Sequence, residues 1–249
     1  MKTAAFYTLG CKVNQYETQA ITELFKDRGY DIKDFSDVCD VYVINTCTVT
    51  AMSDRKSRQI IRRAKKQNPD SIVVVTGCYA QVSPDEVLKI EGVNLVIGTN
   101  EKSTIPGAVE KLCKEKQSFV HDISRTRDFE RMQVTGYGTM TRAYIKIQEG
   151  CNQFCSYCII PYARGPIRSR DPEEVIDEAR ALVNDGFTEI ILVGIHIASY
   201  GLDRKDTSLA DIILAINEIE GIKRIRLSSI EPMTLNAEFI KKISPAHKL

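Results

Sequence analysis

The sequence has no tryptophan and only three histidines, His121, His196 and His247, none paired with another. Zinc sites favour histidine pairs or double Cys-x-x-Cys units, so histidine-based zinc binding has little to work with. A charge excess is missing too. Thirty-four Lys and Arg face 33 Asp and Glu, so only local clustering can mark a polyanionic partner. No run approaches the roughly 18 apolar residues needed to cross a bilayer. Leu9-Gly10-Cys11 has the look of a lipoprotein cleavage site, yet residues 4–9 are too short for a signal-peptide core. The expectation is a cytoplasmic protein with no membrane partner.

Cysteine, by contrast, is plentiful. Eight in a reducing compartment signal metal binding or catalysis more than disulfides. Cys39 and Cys113 have no cysteine neighbour and read as structural, since free cysteine packs as a small hydrophobe.

Short apolar runs at 4–7, 41–44, 72–75 and 95–97 alternate with helical patterns at 16–28 and 53–67 and a helix opened by Pro84. This order predicts an α/β fold, a doubly wound parallel-sheet domain over residues 1–116. Cys11, Cys47 and Cys78 each lie just past the C-terminal end of an expected strand. Open α/β sheets bind ligands at that edge, so these cysteines either converge there or are three buried structural thiols. Residues 117–141, polar and containing Gly136-Tyr137-Gly138, read as a linker. A second βα series follows over 142–249, with strands at 143–147, 190–193 and 225–227. Its helices are expected at 171–184, 209–219 and 235–243. Three βα units predict an incomplete (β/α) barrel.

Cys151-Asn152-Gln153-Phe154-Cys155-Ser156-Tyr157-Cys158 spaces three thiols by three and two residues. Thiolates normally hold each iron of a cubane cluster, so three neighbouring ligands leave one iron open. A zinc site, or a ferredoxin-type cluster with a remote fourth cysteine, is the alternative.

This spacing resembles that of the radical-S-adenosylmethionine enzymes. Leu9-Gly10-Cys11-Lys12-Val13-Asn14, Asn45-Thr46-Cys47, Thr76-Gly77-Cys78-Tyr79-Ala80-Gln81 and Ile160-Pro161-Tyr162-Ala163-Arg164-Gly165 through Arg168-Ser169-Arg170 resemble the methylthiotransferases among them. The resemblance implies two [4Fe-4S] clusters. One sits on Cys151, Cys155 and Cys158, where S-adenosylmethionine chelates the open iron and is cleaved to a 5′-deoxyadenosyl radical. The other, an auxiliary cluster on Cys11, Cys47 and Cys78, takes part in sulfur delivery. It places Tyr157 near the adenine, adds Gly194, His196 and Ser229 as cofactor-binding positions, and implies methylthiolation of modified adenosine 37 in tRNA. Val193-Gly194-Ile195-His196-Ile197-Ala198-Ser199-Tyr200-Gly201 and Ser228-Ser229-Ile230-Glu231-Pro232 resemble the threonylcarbamoyladenosine branch, with isopentenyladenosine as the alternative substrate. No side-chain acid or base is assigned, and the motifs name neither the sulfur donor nor the reductant.

His196 alone after a strand reads either as a hydrogen-bonded structural group or as a pocket residue. From Arg55 to Lys66 the chain carries seven basic residues and no acid. Arg55, Arg58, Arg62 and Lys66 share one helical face, which is either a solvated face or a phosphate-binding one. Arg164, Arg168 and Arg170 either hold the cluster loop or touch nucleic acid. Family members continue through further βα units to a small β-rich RNA-binding domain. The expectation here is therefore a truncated chain, with an inactive iron–sulfur fragment as the competing reading.

Overall fold

Val41–Thr46 is buried along its whole length and Ile72–Gly77 nearly so, as β-branched strands covered on both faces should be. A computed structural model describes residues 1–112, 115–134 and 142–249; Cys113 and Gly136-Tyr137-Gly138 lie outside the described residues. The chain divides into two units. The first comprises residues 1–126, 130–132 and 153–165, the second residues 127–129, 133–152 and 166–249.

In chain order the first unit opens with β1 (Thr3–Thr8), α1 (Lys12–Lys26), β2 (Asp31–Lys33), β3 (Val41–Thr46) and α2 (Ala51–Gln67). It continues through β4 (Ile72–Gly77), α3 (Cys78–Val82), α4 (Pro84–Lys89), β5 (Leu95–Ile97), α5 (Ile105–Lys111) and β6 (Gln117–Phe119). The strands form one sheet in the order β2-β1-β3-β4-β5-β6, parallel throughout. Successive side chains along a strand point to opposite faces. Tyr42, Ile44, Val73 and Val75 pack with Ile60, Ile61 and Ala64 of α2 and Val87 of α4. On the other face α1 packs against α5, and Phe25 meets Phe6 edge to face. Helix α2 is started by Thr50, whose hydroxyl accepts from Ser53 N at 3.2 Å, a cap worth about 1 kcal/mol.

Two sequence expectations change here. The segment read as a linker from residue 117 begins instead with β6, an edge strand paired with β5. Its Gln-Ser-Phe sequence is largely exposed, which is why it carries no apolar signal. Helix α1 starts directly after Cys11, four residues earlier than its apolar spacing suggests.

The second unit contains β7 (Ala143–Glu149), β8 (Arg168–Ser169), α7 (Pro172–Asn184), β9 (Glu189–Gly194), α8 (Leu209–Asn217), β10 (Arg224–Leu227) and α9 (Ala237–Ile243). Its sheet runs β10-β9-β7-β8, with β8 antiparallel and the rest parallel, an open (β/α) arrangement. Asp171 caps α7 by accepting from Glu173 N at 2.9 Å, and Pro172 occupies the first turn. Between β7 and β8 the chain forms α6 (Ile160–Arg164), which packs on α3 in the first unit.

Candidate functional site

The strand order places a topological switch point between β1 and β3, whose helices leave towards opposite faces. Open sheets of this kind bind ligands at such a point, beyond the strands' C-terminal ends. Cys11 follows β1, Cys47 follows β3 and Cys78 follows β4. The sheet register itself carries them together, since Tyr7 pairs with Ile44 and Thr46 with Gly77.

Close packing fixes the turns. A Cβ on Gly10, at φ +99°, would stand 3.0 Å from Cys47 Sγ, and Asn14 donates to Leu9 O at 2.7 Å and Thr46 O at 3.0 Å. Gly77 has φ +94° and ψ −168°, a region open essentially to glycine alone. A Cβ there would lie 2.3 Å from Thr46 O. These contacts hold the C-terminal ends of β1, β3 and β4 tightly side by side. Cys47 and Cys78 are buried and Cys11 is exposed. Cys11 is also the residue before α1, so the positive end of that helix's dipole lies beside it.

Beneath the cysteines sits a buried charged network. Arg164 donates from Nε to Cys78 Sγ at 3.2 Å and from Nη1 to Glu17 Oε1 at 2.7 Å; Nη2 donates to Asn14 Oδ1. Lys102 Nζ lies 3.2 Å from Glu17 Oε2. Arg164, Glu17 and Lys102 are all fully buried. Burial pushes the Cys78 thiol up, the Arg164 guanidinium opposes that, and Cys11 and Cys47 add to the upward push. A bound metal would reverse the balance, because a coordinating thiol is deprotonated outright. Among the described residues no three His, Cys, Asp or Glu side chains gather round one ion position. A cubane spreads its thiolates over separate irons, so the two arrangements differ.

The second cysteine group is presented differently. Cys151 is buried after β7, next to Gly150; Cys155 is exposed and Cys158 half-buried. Phe154 adopts φ +45°, rare for a bulky residue, and Cys158 N donates to Cys155 O at 2.9 Å. Tyr157 is 90% exposed.

In the second unit Gly194 closes β9, where a Cβ would stand 2.9 Å from the Gln148 side chain. Gln148 Oε1 accepts from His196 N at 2.8 Å. Both ring nitrogens of His196 are engaged, Nδ1 with Ser199 Oγ at 2.7 Å and Nε2 with Glu231 Oε2 at 3.0 Å. Ser229 is exposed on the loop after β10.

On α2, Arg55, Arg62 and Lys66 are exposed, whereas Arg58 donates to Tyr79 Oη at 2.9 Å and pairs with Glu86 at 3.3 Å. Arg168 and Arg170 are as buried as Arg164. Arg168 donates to Pro166 O at 3.0 Å and Arg170 pairs with Glu178, so all three hold the fold from within and do not face a nucleic acid. Sequence reasoning missed Glu17 and Lys102 altogether, because a charged side chain reads as surface.

Fold and cysteine pattern together define a radical-S-adenosylmethionine protein preceded by a doubly wound domain. A family model described as the radical SAM superfamily matches residues 145–248, and one described as uncharacterized protein family UPF0004 matches residues 3–98. The chain belongs to the radical-SAM methylthiotransferase family. It is 51% identical over its full length to the threonylcarbamoyladenosine tRNA methylthiotransferase MtaB of Bacillus subtilis, covering 56% of that protein. The corresponding protein of Aquifex aeolicus is 42% identical, with 98% of this chain and 60% of that protein aligned. A tRNA-2-methylthio-N(6)-dimethylallyladenosine synthase of Clostridium novyi is 33% identical, over 97% and 55%. The chain thus spans a little over half the length of these relatives. Among solved structures, the radical S-adenosylmethionine methyltransferase TsrM of Kitasatospora setae superposes with a TM-score of 0.65 at 15% identity. That match covers 99% of this chain and 58% of that one, a likeness of fold.

Proposed function

We propose that the chain is a cytoplasmic tRNA methylthiotransferase that replaces the C2 hydrogen of N6-threonylcarbamoyladenosine 37 by a methylthio group. Cys151, Cys155 and Cys158 hold one [4Fe-4S] cluster and Cys11, Cys47 and Cys78 the other. The observation that carries this reading is the strand-end triplet at the switch point, where three cysteines far apart in sequence share one sheet edge. The choice of adenosine rests on identity, 51% and 42% to two relatives named for threonylcarbamoyladenosine against 33% for one named for dimethylallyladenosine.

When bound, the clusters and S-adenosylmethionine would supply the radical and the methyl group and take part in delivering sulfur to an unactivated aromatic C–H bond. The chain's own residues position them. Gly194 lets β9 approach Gln148, which holds the backbone of His196. Ser199 and Glu231 then fix the His196 ring, and Tyr157 and Ser229 are exposed. Arg55, Arg62 and Lys66 form the stripe on α2 that meets tRNA phosphates; Arg58 holds Tyr79 and Glu86 instead.

The test is anaerobic incubation of the reconstituted chain with S-adenosylmethionine, a reductant, sulfide and tRNA bearing either modification, followed by nucleoside mass spectrometry. Methylthio product on threonylcarbamoyladenosine tRNA is the expected result; product on isopentenyladenosine tRNA alone would overturn the substrate assignment. Replacing Arg55, Arg62 and Lys66 by Gln should flatten the salt dependence of tRNA binding by about two in slope, at about 0.7–0.9 per phosphate contact. An unchanged slope would remove the stripe from the interface.

A further inference from the structure

Among the described residues, the charged side chains buried in the first unit are Glu17, Lys102 and Arg164. They form one network directly under the strand-end cysteines: Arg164 and Lys102 flank Glu17, and Arg164 also reaches Cys78 Sγ. The guanidinium is held against a cysteine sulfur in a site closed to water, where a charge-assisted hydrogen bond is at its strongest.

We propose that Arg164, braced by Glu17 and Asn14, is a positioning residue for the cluster at Cys11, Cys47 and Cys78. Its guanidinium donates to the Cys78 sulfur, and that hydrogen bond and positive charge raise the cluster's reduction potential. This rests on the assignment of a cluster to those cysteines. Hydrogen bonds to cluster sulfurs and local net charge are recognised levers on iron–sulfur potentials. The arrangement suits that role in three respects. The donor atom is Nε, the one not used on the carboxylate. Glu17 accepts from Nη1 and from Nη2, and Asn14 also accepts from Nη2, so the guanidinium plane is fixed. Asn14 in turn holds the turns of Leu9 and Thr46 that present Cys11 and Cys47, so one side chain orients both the cation and the ligand-bearing backbone. Arg164 also ends α6, six residues beyond Cys158, so the segment carrying two of the other cysteines is anchored at this same edge. A change in the charge network is therefore expected to be felt as a signed change in cluster potential.

The experiment uses the whole chain with Cys151, Cys155 and Cys158 replaced by Ala, so that only the strand-end cluster forms. Iron content and EPR-monitored midpoint potential are compared for this protein and for two further variants of it. Arg164→Gln removes a positive charge and the sulfur hydrogen bond, and its potential should shift negative. Glu17→Gln is nearly isosteric and removes a negative charge, and its potential should shift positive. Opposite signs are what a purely structural role would not produce. Should Arg164→Gln fail to hold iron, Glu17→Gln still decides: a positive shift supports the proposal, and an unmoved or negative one overturns it. About four irons with potentials indifferent to both substitutions would overturn the role of Arg164 alone. No iron in the starting protein would overturn the cluster assignment beneath it.

Discussion

The two cysteine groups are held by different means. Cys11, Cys47 and Cys78 sit at the ends of strands whose pairing fixes them relative to one another, over a buried network of Asn14, Glu17, Lys102 and Arg164. Cys155 and Cys158 ride on an exposed loop held by a backbone hydrogen bond, the edge-to-face contact of Phe154 with Tyr162 and the α6 anchor that follows it. The first group is held by the fold itself, so on the proposed reading its ligands would lose little freedom on metal uptake. The second, on the same reading, would draw more of its order from what it binds.

The sharpest way to separate the two units is through their buried charges. Lys146 and Glu149, both buried in β7, pair at 2.9 Å. Regular alternation would place residues three apart on opposite faces, and the register irregularity between Lys146 and Gln148 brings them to the same side. Lys146→Met should destabilise the second unit by about 3 kcal/mol in chemical denaturation, since it strips a buried carboxylate of its cation. The first unit's transition should stay in place.

Gly77→Ala makes the complementary cut. The φ of +94° and the 2.3 Å approach to Thr46 O leave no room for a methyl group without parting β3 from β4. A loss of about 2–3 kcal/mol confined to the first unit is expected, together with loss of iron from its cysteines only. A smaller difference should show in the metal-free protein. Alkylation of Cys155 should outpace that of Cys78 by about tenfold or more, because a buried thiol waits for local opening. Equal rates, read by peptide mass spectrometry, would mean that the strand-end site is not preformed.

Much of this contrast was legible in the sequence. The strands carrying Cys47 and Cys78 announce themselves by β-branched runs ending in Asn-Thr-Cys and Gly-Cys, so the cysteines could be placed at strand ends. Strand order was not legible, since nothing local in residues 3–8 says that β1 pairs with both β2 and β3. Helix α3 was missed because Gly77 reads as a stop, although here it starts five helical residues. Strand β6 was read as linker because its polar residues suit an edge. The buried role of Arg164 was hidden most completely: its carboxylate partner lies 147 positions earlier, and arginine near a metal loop suggests a surface contact as readily as an internal one.

The central claim is that the chain holds two clusters on two separate cysteine triplets. Iron counting after anaerobic reconstitution tests it most directly, on the parent chain, on a Cys11→Ala, Cys47→Ala, Cys78→Ala variant and on a Cys151→Ala, Cys155→Ala, Cys158→Ala variant. The account predicts about eight irons in the parent and about four in each variant. About four irons in the parent, lost entirely in one variant and unchanged in the other, would contradict it.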